Sequence, residues 1–370
     1  MRILIIGADA GGNVPPARAA ATELSRRGHE VLLAGLRSRD GEAGPGRSVP
    51  FPAMDGFSLT GRLGSARFMA SMVRFCASPA AARDVTAMIA EQRPDVAVVD
   101  GMMFSGIDAA NRSGVPTVAL LHTFAGYLLP AFTRPPNSLV LAVRRLDARR
   151  VWASAVARIV VSDRELDPLP GDGRLGLEWT GPIERGVAAA PEPGAPPLVL
   201  VSLSTVWASG QEACYRRILA ALGELPVRAI VTTGGLVVDG LVPPSNVEVV
   251  GRAPHAELMP RASLLIGHGG HSTTFKALAH GLPVLLLPQN GISDQPLVAA
   301  TIERAGAGLA LPQRASAERI RDAVERLLAE RSIRRAAATL GQRLRSGDGV
   351  GAAADAIERA AASRVSRAAA

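Results

Sequence analysis

Short apolar runs alternate along the chain with stretches of helical length whose apolar residues recur every three or four positions. The runs "RILII" and "EVLLAG" flank an amphipathic stretch from Pro15 to Arg27, and "PDVAVVD", "VPTVALLH" and "ARIVVS" continue the series. Strands covered on both faces by crossover helices read as continuous apolar runs, so this alternation predicts a parallel sheet in an α/β fold. The segment 183–197, "IERGVAAAPEPGAPP", is rich in Pro, Ala and Gly and carries no periodicity. After it the rhythm restarts with "LVLVSLS", a helix from Gln211 to Leu222, "VRAIVTT", "VEVVG", "SLLIGHGG", "LPVLLLP" and "GAGLAL".

The pattern predicts two tandem Rossmann-like, doubly wound α/β domains, residues 1–185 and 198–345, joined by a linker over 186–197 and followed by a C-terminal helix and tail over 346–370. In such domains the C-terminal ends of the strands offer ligand clefts. The Ala- and Arg-rich run from Ser316 onward reads as two helices parted near "SGDGVG", with frayed last residues. Residues 40–60 are dense in Gly and Pro and predict a mobile loop at the rim of the first domain.

A chain of 370 residues with 48% apolar positions is long enough for two cores. Its charge of +8 comes from 40 arginines and one lysine dispersed along the sequence, with aromatics at only 4%. A nucleic-acid partner would want a basic stripe interleaved with aromatics, so none is expected. Cys76 and Cys214 stand far apart in no metal-type spacing, which fits a reducing cytoplasm. The first apolar run ends after a few residues in Gly and Asp, unlike a signal peptide. No segment approaches the roughly 18 apolar residues that span a bilayer, so stable membrane insertion is not expected.

The chemistry concentrates in "GHGGHSTTFKALAHGLP", Gly267 to Pro283, which holds three of the six histidines and the lone lysine. A zinc helix would place two His at i and i+4 with a Glu between; here His268 and His271 precede the helix and no carboxylate lies in the stretch, so no metal is expected. An anion cradle needs a strand end, small residues allowing close approach, a capping hydroxyl and a helix start whose N–H groups face the charge. "SLLIG" supplies the strand, Gly269 and Gly270 the approach, Ser272 the cap, and "TFKALAH" the helix, closed by Gly281 and Pro283. Lys276, placed in the first helical turn, opposes the macrodipole unless an anion binds there. The bland alternatives are an ordinary capped turn and a lysine extended into solvent.

With these residues in view, "HGGHSTTFKALAHGLPVLLLPQNGISDQPLVAA" resembles the donor motif of the GT-B, family 1 nucleotide-sugar glycosyltransferases, especially bacterial enzymes that decorate natural products. The likeness extends to "LVLVSLST", to "VEVVGRAPHAELMPRAS" and to the start of the chain. It implies a GT-B fold and an inverting, metal-independent transfer of a sugar from a dTDP or UDP donor to a hydrophobic aglycone, with no cofactor and with a homodimer as one possible assembly. It implies that His268, Gly269, Gly270, His271, Ser272 and Thr273 hold the diphosphate, approached by Ser204 and Thr205. Asp294 and Gln295 would bind sugar hydroxyls, and Arg252 to His255 would face the base. Lys276 departs from the family, which commonly has a ribose-binding glutamate there, and Arg252 stands where an aromatic residue often stacks.

The resemblance also implies a histidine base after the first strand, paired with a carboxylate on a later strand. That loop reads "GADAGGNVPP", with Asn13 at the histidine's position, and an amide is no base at neutral pH. Asp100 matches the carboxylate and is the first candidate for base assistance, with Asn13 positioning a substrate. Asp9 and His122, also at strand ends, are reserves; Asp9 reads equally as a helix cap and His122 as a polar turn residue. The apolar segments Phe57 to Phe75 and Phe124 to Phe132 suit a hydrophobic acceptor. An acidic or carbon nucleophile would need no strong base. A dehydrogenase is disfavoured because "IIGADAGG" lacks the G-x-G-x-x-G spacing and no acidic residue ends the second strand. An epimerase or phosphorylase on the same architecture, and a catalytically silent partner protein, are the other readings.

Overall fold

The computed structural model describes residues 1–36, 45–62, 64–169 and 174–368, which divide into two units: Met1–Ile183 with Asp348–Ala370, and Glu184–Gly347. Among the described residues the first unit holds a seven-stranded parallel sheet. Its strands are β1 (Arg2–Ile6), β2 (Glu30–Ala34), β3 (Arg47–Val49), β4 (Val96–Asp100), β5 (Thr117–Leu121), β6 (Ala157–Val160) and β7 (Leu177–Trp179). They lie in the order β3-β2-β1-β4-β5-β6-β7. Every residue of β4 and β5 is buried, as both-face coverage requires. The cover comes from α1 (Val14–Arg26), α2 (Ser65–Ala77), α3 (Pro79–Gln92), α4 (Phe104–Arg112), α5 (Ala125–Thr133), α6 (Asn137–Val143) and α7 (Ala148–Ser154).

The second unit repeats the plan with β8 (Leu198–Ser202), β9 (Arg228–Thr232), β10 (Val247–Val250), β11 (Leu264–Gly267), β12 (Val284–Leu286) and β13 (Gly308–Ala310), in the parallel order β10-β9-β8-β11-β12-β13. Its helices are α8 (Gln211–Gly223), α9 (His255–Leu258), α10 (His271–Ala279), α11 (Gln295–Arg304), α12 (Ala317–Ala329) and α13 (Arg331–Ser346). In each sheet the strand order reverses once, between β1 and β4 and between β8 and β11. Connections leave such a switch point in opposite directions and open a crevice beyond the strand ends, where ligands of doubly wound folds bind.

Three expectations change. The Gly- and Pro-rich stretch expected to be a mobile loop over 40–60 contains the edge strand β3, paired with β2, and a bridge from Asp9 to Ser58; residues 40–44 of it lie outside the described residues. From Ser316 the chain forms three helices rather than two, the extra break falling at Glu330, an extended residue. The segment expected to be a C-terminal helix and tail is the last of them, α14 (Gly349–Ala368), and it belongs to the first unit. Its Ala353, Ala354, Ile357 and Ala360 enter the same apolar core as Leu24, Val96 and Ile159. Arg27 fixes it through Asp355 at 2.6 Å and Glu358 at 3.0 Å, and His29 meets Glu358 at 2.7 Å.

Candidate active site

In the second unit the switch point brings together the loops after β8 and β11, whose last residues, Ser202 and Gly267, are paired in register. His268 follows β11, Gly269 takes a left-handed φ of 80°, and Gly270 is extended. The turn is therefore complete two residues early: α10 starts at His271, and Gly270 O accepts from Thr274 N at 3.1 Å. Gly270, not Ser272, is the N-cap, and Ser272 and Thr273 stand in the first turn, where helix geometry leaves N–H groups without intrahelical partners. No side chain caps this helix start. Its far end closes in a Schellman motif, with Gly281 N donating to Leu278 O and Leu282 N to Ala277 O, and Arg345 caps Ala279 O at 2.7 Å.

The early start moves Lys276. In a nine-residue helix beginning at His271 it lies in the last turn, where a cation suits the macrodipole, so the expectation of a first-turn conflict is withdrawn. Its charge instead acts on His255, whose imidazole is held below its ordinary value by burial first and by Lys276 second. His255 Nε2 meets Thr232 Oγ1 at 3.3 Å, at the end of β9.

His268 folds over Gly270 so closely that a Cβ there would sit 2.2 Å from His268 Nε2. Burial pushes its imidazole down to about 4, so it offers an anion an N–H dipole and not a cation at neutral pH. Its Nδ1 lies 3.4 Å from Ser202 O, too long to fix the tautomer. His271 is buried, with its ring stacked on Phe275 at 4.1 Å.

Ser204 is buried, accepts from Val206 N at 3.2 Å and has its carbonyl held by Gln211 Nε2 at 2.7 Å, which leaves partly exposed Thr205 as the more accessible hydroxyl. Thr205 and the exposed Arg252 flank a Gly234-Gly235 turn after β9 that sequence reasoning passed over; two glycines directly after a strand were its signal. Gln295 spends its side-chain oxygen locally, accepting from Gln289 N at 2.8 Å and Asn290 N at 3.0 Å, so a sugar hydroxyl could meet only its amide N–H groups. Asp294 precedes it at the N-cap of α11, partly exposed and without a side-chain cap bond.

In the first unit three neighbouring strands, β1, β4 and β5, end beside one another and deliver Asn13, Asp100 and His122. Asn13 Nδ2 donates to Asp100 Oδ2 at 2.7 Å and to Ala8 O at 2.9 Å, while its Oδ1 accepts from Ala10 N at 3.1 Å. Asp100 Oδ1 accepts from Met102 N at 2.9 Å, and His122 Nδ1 stands 3.7 Å from Asp100 Oδ2. Asn13 and Asp100 are buried. Asp9 is occupied elsewhere, accepting from Ser58 Oγ at 3.1 Å and Gly11 N at 3.3 Å. It does not cap α1, whose N-cap is Asn13.

The aromatic residues expected to line an acceptor surface are largely core. Phe57 stacks on Phe75 at 5.5 Å, and Phe124 and Phe132 are buried, the latter against Phe104 and Trp152. What α2 leaves accessible is Met69, with Phe68, Met72 and Val73 partly so. Among the described residues no three His, Cys, Asp or Glu side chains gather as metal ligands, and no helix is long and apolar enough to cross a membrane.

Residues 216–347 match the family described as erythromycin biosynthesis protein CIII-like, C-terminal domain, and residues 17–170 match Glycosyltransferase Family 4. The chain is 28% identical to demethyllactenocin mycarosyltransferase of Streptomyces fradiae, covering 94% of this chain and 84% of that protein. It is 30% identical to aclacinomycin-T 2-deoxy-L-fucose transferase of Streptomyces galilaeus over 68% of this chain, which spans 62% of that relative's length. Among solved structures, the glycotransferase of kitacinnamycin superposes with a TM-score of 0.76 at 22% identity over 97% of this chain and 98% of the other. VinC, solved in complex with dTDP, superposes with a TM-score of 0.71 at 20% identity over 98% and 99%. Fold and kinship together define a GT-B glycosyltransferase. Within that class the chain belongs with the bacterial natural-product glycosyltransferases, the relatives of macrolide and anthracycline enzymes.

Proposed function

We propose that the protein is an inverting glycosyltransferase that moves a hexose or deoxyhexose from a dTDP- or UDP-sugar to a hydrophobic small-molecule aglycone, with no metal, in the cytoplasm. The observation that carries this reading is the α10 start at the β8/β11 switch point, with a left-handed glycine, a folded-over histidine and no side-chain cap. A helix start left open in this way suits the diphosphate, whose growing charge as leaving group would be stabilised by the N–H dipoles. Relatives named for mycarose, 2-deoxy-L-fucose and TDP-daunosamine transfer favour a deoxysugar. Thr205, the Gly234-Gly235 turn, His255 and Lys276 form the nucleoside side, while Asp294 and Gln295 serve the sugar. In the first unit Asn13, Asp100 and His122 supply proton handling, and the accessible face of α2 takes the aglycone.

Calorimetry with UDP and dTDP in EDTA is the test, followed by a donor and acceptor screen read by mass spectrometry. Binding of at least one nucleotide in EDTA is expected; binding that appears only when a divalent ion is added would overturn the metal-free mechanism. Lys276→Ala is expected to weaken nucleotide binding by about 1 to 2 kcal/mol, the size of a partly solvated charge-assisted hydrogen bond. Unchanged affinity would remove Lys276 from the donor site.

A further inference from the structure

We infer that His122 is the group that accepts the acceptor's proton, held by Asp100, so that the catalytic pair absent at Asn13 is rebuilt from the neighbouring strand. The inference rests on the transfer reaction proposed above and assigns its proton acceptor.

Asp100 is poorly arranged to be the base itself. Both its oxygens already accept hydrogen bonds, from Met102 N and from Asn13 Nδ2, and the residue is buried. His122 is arranged differently. Its Nδ1 is buried with no hydrogen-bond partner, a rare state for a polar atom in a folded protein. That atom stands 3.7 Å from Asp100 Oδ2. The side chain keeps 15% of its exposure, so the accessible part of the ring is not Nδ1. Asn13, Asp100 and His122 share a recess walled by Ile5, Val98 and Leu120 that has no room for a water molecule. The 3.7 Å gap is about 0.5 Å longer than a direct hydrogen bond. Such contacts in unliganded active sites are commonly long and tighten with substrate.

An Asp beside Nδ1 fixes the proton on that nitrogen and leaves Nε2, on the opposite edge, as the lone pair. In the step, Nε2 takes the proton from the acceptor's hydroxyl or N–H as that atom bonds to the anomeric carbon. The bond from the anomeric carbon to the diphosphate oxygen breaks, and its electron pair leaves on the nucleoside diphosphate. Asn13 is a positioning residue: its amide holds Asp100 Oδ2, the oxygen facing the histidine. Of the titratable groups around the ring, Asp100 faces it from β4, and Cys76 at the end of α2 lies beside Asp100 with its thiol pushed up by burial and kept neutral.

Two measurements test the pair. By 15N NMR, the neutral His122 ring is expected to carry its proton on Nδ1 in the wild type and to lose that preference in Asp100→Asn, because the carboxylate facing Nδ1 is gone. The same tautomer in both proteins would overturn the coupling whatever the enzyme transfers. His122→Ala is expected to lower turnover by about 100- to 10,000-fold, with melting temperature and nucleotide affinity kept and part of the rate returned by added imidazole or by a second change, Asn13→His. Near-normal turnover in His122→Ala would overturn the assignment while leaving the transferase reading intact. A wild type inactive with every nucleotide sugar, yet showing the NMR coupling, would sink the transferase reading and the role in transfer with it.

Discussion

Gly269→Ala is expected to destabilise the second unit by about 2 to 4 kcal/mol and to weaken UDP and dTDP binding at least tenfold. The left-handed φ of 80° costs a non-glycine residue about 1 to 2 kcal/mol. The added Cβ would also come within 2.8 Å of Gln295 O, a backbone atom that cannot swing aside, and overpacking of this kind costs about 1 to 3 kcal/mol. Relief by movement of Gln295 would disturb Gln289 N and Asn290 N, which its side chain holds, and Asp294 beside it. A unit of this size should therefore melt roughly 5 to 15 °C lower. Gly291→Ala is the control, because its Cβ would meet nothing within 4 Å and its φ is not left-handed; it should melt like the wild type. Equal melting and equal nucleotide affinity in both variants would show that the Gly269 turn does not set the donor site.

The central strands were legible because burial on both faces leaves uninterrupted apolar runs, and β4 and β5 bear this out residue by residue. The edge strands of the first sheet escape that signal: two of the three residues of β3 are exposed, and β7 is equally short with none fully buried. The docking of α14 was illegible for another reason. Its buried face is mostly alanine, and the partner that gives that face meaning, α1, lies more than three hundred residues away in sequence. The two-residue error at α10 arose because a Ser/Thr cap was weighed above two glycines whose backbone angles decide the turn, and the argument about Lys276 fell with it. The segment Phe124 to Phe132 suited an acceptor by its apolar composition, which does not show that both rings are buried. Each member of the Asn13, Asp100 and His122 group could be placed at a strand end, but that β1, β4 and β5 are neighbours is a fact of sheet order.

Asp100→Asn is expected to lower turnover by about 100- to 10,000-fold while nucleotide binding in the second unit is unchanged, since the loss of assisted proton transfer has that size. The substitution conserves volume, and one amide atom can still accept from Met102 N as Asp100 does at 2.9 Å. It changes two things at the other atom: an N–H group then confronts Asn13 Nδ2, now bonded at 2.7 Å, and the charge facing His122 Nδ1 disappears. Exchanging the pair separates these causes. In Asp100→Asn with Asn13→Asp, a donor and an acceptor again face each other at this contact, so part of the lost melting temperature should return, the rest being withheld by a carboxylate oxygen set against Ala8 O. The carboxylate, however, now lies on the α1 side of the contact, and turnover should stay low because position 100 no longer offers His122 an anion. Recovery of turnover in the exchanged pair would show that the hydrogen bond between positions 13 and 100, and not the charge at Asp100, is what catalysis needs.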